Sequence, residues 1–185
     1  MLERALTYRG EDRELLDQVG RVRTKALKRA LAKAGKRGDH DEADRVEAQL
    51  RDHEVSELRR RITIHPGDAG LRLELGQALH RSGDHDGAAA ELQKAVADPR
   101  RALEARITLA RCFEAKGFGD LAAVEYQKAL DSCSENDQRS REILYSLASL
   151  SEAAGDLDRA RDLYTRIYEA DVSFRDVARK MEQLR

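Results

Sequence analysis

Residues 75–95 read LGQALHRSGDHDGAAAELQKA, and two later stretches follow the same plan: LARCFEAKGFGDLAAVEYQKA at 109–129 and LASLSEAAGDLDRARDLY at 147–164. A shift of 34 residues lays Leu75-Gly76 on Leu109-Ala110, Leu79 on Phe113, Gly83 on Gly117, Ala88 on Ala122, Leu92 on Tyr126 and Ala95 on Ala129. A further shift of 38 carries Leu109-Ala110 to Leu147-Ala148, Gly117 to Gly155, Ala122 to Ala160 and Tyr126 to Tyr164. The four additional residues fall around Ser134-Glu135-Asn136-Asp137, a polar loop in which extra length costs little. Self-similarity at this period is the mark of stacked supersecondary units.

Each unit reads as two helices. Leu71, Leu75, Ala78 and Leu79 recur at helical spacing, and a glycine then closes the first helix, where a residue at positive φ ends it without steric cost. Asp84 and Asp156 follow their glycines directly and suit the N-cap of the second helix, whose first N–H groups lack partners. Within that helix a small residue precedes a bulky one by four positions: Ala88 and Leu92, Ala122 and Tyr126, Ala160 and Tyr164. One turn separates them, so they share a face; the small member lets two helices approach and the bulky member fills the space beside it.

This pattern resembles the tetratricopeptide repeat, a helix–turn–helix unit. The residues that carry the resemblance are Leu75, Gly76, Leu79, Gly83, Ala88, Leu92 and Ala95, then Leu109, Ala110, Phe113, Gly117, Ala122, Tyr126 and Ala129, then Leu147, Ala148, Gly155, Ala160 and Tyr164. Pro99 falls near a repeat end, where the family commonly has proline. Arg72 and Arg106 stand where the family often has Trp, with Leu144 as the third equivalent, and Ile167 replaces the usual Ala. The resemblance implies an all-α fold, a right-handed superhelical stack of antiparallel helix pairs. The expected divisions are repeats at 69–102, 103–136 and 141–172 and a C-terminal capping helix at 173–185. There, Ser173 and Asp176 have the spacing of a short capping box.

Residues 1–68 are expected to be a divergent, elongated helix pair. Gly38-Asp39-His40-Asp41 matches Gly83-Asp84-His85-Asp86, which puts helices at about 12–36 and 40–64, the second ending before Pro66. Residues 21–37 hold eight basic residues and no acid, whereas 39–57 carry eight acids and two bases. Val19, Val22, Ala26, Ala30 and Leu31 form an apolar stripe among the bases. The expected arrangement is an antiparallel hairpin, basic against acidic. A membrane or nucleic-acid contact through 21–37 is the lesser alternative, since no aromatic residues are interleaved for base stacking.

The composition agrees with long helices. Ala, Leu, Arg, Glu and Lys supply more than half of the 185 residues, aromatics only 4%, and 34 basic residues nearly cancel 35 acidic ones. That balance argues against nucleic acid or a membrane as partner. No apolar run has the length of a membrane span, and the first residues have no signal-peptide core, so a cytoplasmic location is expected. The helical pattern at Leu2, Ala5 and Leu6 is consistent with a continuation from upstream. Cys112 and Cys133, 21 apart, make neither a zinc motif nor a disulfide framework and are expected to be reduced thiols.

No nucleophile, phosphate-loop or dinucleotide motif is present, so catalysis and cofactors are not expected. Asp39-His40-Asp41 and Asp84-His85-Asp86 mimic metal ligands. Adjacent residues at a helix start diverge, and no i, i+4 His pair exists, so no metal site is expected. What remains is a surface. The resemblance implies that the first helix of each unit lines a concave groove, with Leu73, Gln77, His80 and Arg81, then Ile107, Arg111 and Glu114, then Tyr145, Ser149 and Glu152 facing it. Some family members hold a C-terminal carboxylate through Lys and Asn; Leu73 or Ile107 and Gln77 or Arg111 occupy those places here, so that clamp is not expected. The expected function is a non-catalytic interaction scaffold for a peptide segment or helix of a protein partner. The alternative is an architectural spacer or self-associating module of a larger assembly.

Overall fold

In the computed structural model, which describes residues 13–134 and 137–184, the chain is all-α, with nine helices and no strand among the described residues. They are α1 (Arg13–Arg37), α2 (His40–Ile64), α3 (Ala69–Arg81), α4 (His85–Ala95), α5 (Pro99–Ala115), α6 (Gly119–Leu130), α7 (Gln138–Ala153), α8 (Leu157–Ala170) and α9 (Val177–Gln183). The helical pattern read at Leu2, Ala5 and Leu6 lies outside the described residues, as do Glu135 and Asn136 of the inserted loop. The chain divides after Leu71 into two compact units. Among the described residues no helix is long and apolar enough to cross a membrane.

In the first unit α1 and α2 form an antiparallel hairpin. The turn is closed by Asp39, whose carboxylate accepts from the Glu42 N–H at 3.0 Å. The seam overlaps only part of the stripe expected on α1, of which Val19, Ala30 and Leu31 are half-buried. Val22 is 54% exposed and Ala26 is exposed, while Gly20 and Ala34 are buried and Thr24, Leu27 and Leu31 are half-buried. Those five recur at spacings of four and three, which keeps one narrow line facing the partner helix. One ion pair across the hairpin joins Asp17 on α1 to Arg60 on α2, both outside the basic and acidic stretches of the sequence. His53, buried on α2, donates from Nε2 to the Gly20 carbonyl at 3.1 Å, so this histidine serves the packing of the hairpin.

In the second unit the helices pack in sequence order: α4 on α5, α5 on α6, α6 on α7, α7 on α8, and α8 on α9. The turn glycines Gly83, Gly117 and Gly155 have φ of 85°, 77° and 82°, the left-handed region that a side chain disfavours. Asp84 and Asp156 accept from the N–H groups of Gly87 (2.9 Å) and Arg159 (3.2 Å), the capping role read for them. Phe118 holds the equivalent place before α6 and has no polar atom to cap with. The core runs through the small and bulky residues of the repeat: Ala88, Leu92, Ala122, Ala160 and Tyr164 are wholly buried and Tyr126 nearly so.

The positions where Trp is usual are occupied by a repeated ion pair. Arg72 Nη1 lies 2.7 Å from Glu91, and Arg106 Nη1 lies 2.7 Å from Glu125, 34 residues on in each case. The third copy of the pair is Leu144 and Leu163, both buried. One structural slot is thus filled by charge twice and by hydrocarbon once.

Helices α3 and α4 approach closely at Gly76. A Cβ there would lie 2.5 Å from Cγ and 2.7 Å from Cδ2 of Leu92, and 3.3 Å from the Ala88 carbonyl. Leu92 is fully buried, so it can yield only by displacing its neighbours. Alanine improves helix propensity by about 1 kcal/mol, but overpacking costs about 1–3 kcal/mol. Gly76→Ala is therefore expected to lower stability by about 1 kcal/mol in urea unfolding; a rise in the midpoint would mean that α3 and α4 part freely.

Candidate interaction face and a histidine–cysteine cluster

The residues expected to face the groove do not share one environment. Leu73 is buried, at 4% exposure, and belongs to the packed interior rather than to open surface. Leu71 and Leu75, one turn apart and on a different side of α3 from Leu73, are buried as well. This helix is therefore covered on more than one side, and the Leu73 hydrocarbon is used for packing. Gln77 and His80 on α3 and Ile107 and Glu114 on α5 are half-buried, while Arg81 and Arg111 are respectively exposed at the end of α3 and exposed on α5. Ile107 and Arg111 are one turn apart on α5 and so present an apolar and a cationic group on one face.

Glu114 and Glu152 are anchored from below. The Tyr126 hydroxyl donates to Glu114 at 2.6 Å, and the Tyr164 hydroxyl donates to Glu152 at 3.2 Å. Burial and the neighbouring Glu114 carboxylate push the Tyr126 phenol well above its ordinary value. These two carboxylates satisfy buried hydroxyls, and this role was invisible in a linear stripe.

The last rung meets the chain's own C-terminal segment. The Tyr145 hydroxyl donates to Asp176 at 2.5 Å, and the Arg175 guanidinium stands 4.7 Å from the Tyr145 ring centre, a cation–π distance. Lys180 Nζ lies 2.8 Å from Glu152, and Ser149 hydrogen-bonds the Tyr164 hydroxyl at 3.2 Å. The expected capping box does not form. Asp176 makes no side-chain cap bond, because its carboxylate is taken by Tyr145 and Arg179. Ser173 instead bonds Asp171 at 2.7 Å, and Arg175 adopts a φ of 49°. The helix that follows is only Val177–Gln183, with Val177 wholly buried.

This docking is acid-sensitive. The Lys180 ammonium holds Glu152 below its ordinary 4.5, with the Tyr164 hydroxyl adding to it against the opposing effect of burial. The Tyr145 hydroxyl, then Arg179, hold Asp176 below its ordinary 3.8. Folded values below unfolded ones mean stability that is fully present above the unfolded values and is lost as pH falls through the folded ones. The thermal midpoint is therefore expected to fall on acidification below the ordinary carboxylate range, with a shallower fall in Glu152→Gln and Asp176→Asn. An acid limb identical in all three proteins would contradict this assignment.

A second cluster was not connected by any spacing in the sequence. His80 near the end of α3, His85 at the start of α4 and Cys112 on α5 bring their ligand atoms within 4.8 Å of one another. His80 Nδ1 lies 3.3 Å from His85 Nδ1 and 3.4 Å from Cys112 Sγ. Burial lowers the His80 pKa, helped by the positive charges of His85, Arg111 and Arg81. Burial pushes the Cys112 thiol up to about 11. The signal that would have found the cluster lies in the alignment of the repeats: His80 aligns with Glu114 and Glu152, His85 with Gly119 and Leu157, Cys112 with Leu150.

Comparison with known proteins bears on the fold. No curated protein matches the chain by sequence. Among solved structures, a crystal structure of MamA matches with a TM-score of 0.63 at 18% identity, over 82% of this chain and 80% of that one. BtubC (BKLC) from P. vanneervenii matches with a TM-score of 0.59 at 16% identity, over 89% of this chain and 82% of the other. The first tetratricopeptide-repeat domain of Spaghetti (RPAP3), bound to the HSP90 peptide SRMEEVD, matches with a TM-score of 0.54 at 14% identity, over 63% of this chain and 89% of that one. Two family models described as tetratricopeptide repeat match residues 48–133 and 128–172. With the repeated helix pairs of the second unit, these matches place the chain in the tetratricopeptide-repeat family.

Proposed function

We propose that the chain is a non-catalytic scaffold that binds a peptide segment or helix of a protein partner along the face presented by α3 and α5. The observation that carries the reading is the exposed Arg111, one turn from the half-buried Ile107, with the exposed Arg81 on the preceding first helix. A guanidinium takes a carboxylate with two parallel hydrogen bonds, and a rigid helix holds it in place before the partner arrives, so little ordering entropy is lost. The preferred partner is therefore an acidic segment with an apolar side chain to set against Ile107. The related RPAP3 domain, with its acid-containing HSP90 peptide, is consistent with that chemistry. Gln77 supplies the polar surroundings, whereas Glu114 is engaged by the Tyr126 hydroxyl and His80 by His85 and Cys112. Leu73 is excluded by its burial, and Tyr145, Ser149 and Glu152 are already engaged within the chain.

The test is affinity capture with the intact chain and with Arg111→Glu, followed by direct titration of a captured partner's acidic segments. Loss of the partner on Arg111→Glu, with an unchanged circular dichroism spectrum, supports the groove. Retention of every partner by the variant overturns it and favours the spacer.

A further inference from the structure

We infer that His80, His85 and Cys112 form a binding site for a borderline-soft divalent cation of the zinc class, placed between the first and second repeats. The inference stands apart from the groove reading and does not depend on it.

The geometry is the first argument. Zinc binds imidazole nitrogen at about 2.0–2.1 Å and thiolate sulfur at about 2.3 Å, so the edges of a tetrahedral set of two nitrogens and one sulfur are roughly 3.3–3.6 Å. The two contacts made by His80 Nδ1, 3.3 Å to nitrogen and 3.4 Å to sulfur, already have those lengths. All three atoms lie within 4.8 Å, and His85, half-buried at a helix start, is the side chain placed to close the remaining edge.

The second argument is hydrogen-bond arithmetic. His80 Nδ1 carries either one proton or one in-plane lone pair. It faces two partners and satisfies only one of them well by hydrogen bonding. A cation at the centre accepts electron pairs from all three atoms at once.

The third argument is internal to the chain. At the equivalent places in the next repeat stand Glu114, Gly119 and Leu150, and a Cβ on Gly119 would lie 3.7 Å from Leu150. The same three-way junction therefore forms there without any ligand atom in that pair. Glu114 and Glu152 hold tyrosine hydroxyls, but the first repeat has Leu92 where they have Tyr126 and Tyr164, so His80 has no hydroxyl to serve. Repeat packing thus demands none of the three ligand types, and all three occur at one junction.

On binding, the Cys112 thiol passes its proton to buffer as the metal–sulfur bond forms, and the two imidazoles donate their Nδ1 lone pairs. Three protein ligands leave one tetrahedral position for water.

The test uses the purified full chain without a histidine tag. Co2+ serves as spectroscopic probe and Zn2+ in competition with a chromogenic chelator. The expected result is one Co2+ per chain with tetrahedral d–d bands and a thiolate-to-cobalt charge-transfer band, displaced by Zn2+, with release of one proton on metal binding. His85→Gln, a half-buried site whose change leaves the core intact, is expected to weaken Zn2+ binding by at least about 100-fold, beyond the loss typical of an outer-shell partner. Cys112→Ser is expected to abolish the charge-transfer band, and His65→Gln, distant from the cluster in sequence, to change nothing. Co2+ binding without the charge-transfer band, equal affinity in His85→Gln, or no binding at micromolar metal would each overturn the assignment.

Discussion

Replacing Tyr126 by alanine is expected to lower the unfolding free energy by about 3–5 kcal/mol, the range for emptying a buried aromatic site. Tyr126 is 1% exposed and sits in the central cluster with Ala110, Ile143 and Leu147. Its loss opens a cavity between the second and third repeats, and the helices on either side are held by further contacts that prevent collapse. Tyr126→Phe separates ring from hydroxyl. It removes the 2.6 Å bond to Glu114 but leaves the ring, and Glu114 is only half-buried, so water can reach it. About 1 kcal/mol is expected for that variant. Urea unfolding followed by circular dichroism reads both. A cost below about 1.5 kcal/mol for Tyr126→Ala would show that the site closes up rather than keeping a cavity.

The second large effect concerns the pair at the usual tryptophan position. Glu125→Ala is expected to cost about 2 kcal/mol, because it leaves the Arg106 guanidinium without its carboxylate in a slot where both side chains are mostly covered, 24% and 12% exposed. That figure is below the roughly 3–5 kcal/mol of a fully buried broken pair because water still reaches the arginine. The double variant Arg106→Leu with Glu125→Leu recreates the Leu144 and Leu163 pair of the third repeat and is expected to stay within about 1 kcal/mol of the parent. A double variant as unstable as Glu125→Ala would mean that the slots differ in shape and not merely in filling.

The repeat residues illustrate what a linear reading captures. Gly83, Gly117 and Gly155, the aspartates after two of them, and the small–bulky pairs of the second helices are local rules. Backbone sterics, orphan N–H groups and helical periodicity act over a few residues, so their outcome is written in neighbouring positions. The same rules misled on α1. Val22 and Ala26 have the right spacing for a stripe, but so do Gly20, Thr24 and Leu27, and only the position of α2 chooses between two adjacent lines that share Leu31.

The candidate site divides in the same way. The exposure of Arg81 follows from its place in the repeat, where Ala115 and Ala153 are exposed as well, whereas Arg111 is exposed where Gln77 and Ser149 are half-buried. The burial of Leu73 depends on neighbours outside its own helix. The capture of Asp176 by Tyr145 joins residues 31 apart, the contact of Lys180 with Glu152 residues 28 apart, and the approach of Cys112 to His80 residues 32 apart. The sequence by itself determined the helix pairs, their turns and their stacking period, because each is a short-range consequence of side-chain shape and capping. Only the tertiary structure decided which polar side chains meet, because such meetings require two helices to be placed against each other to within an ångström, and no periodicity encodes that distance.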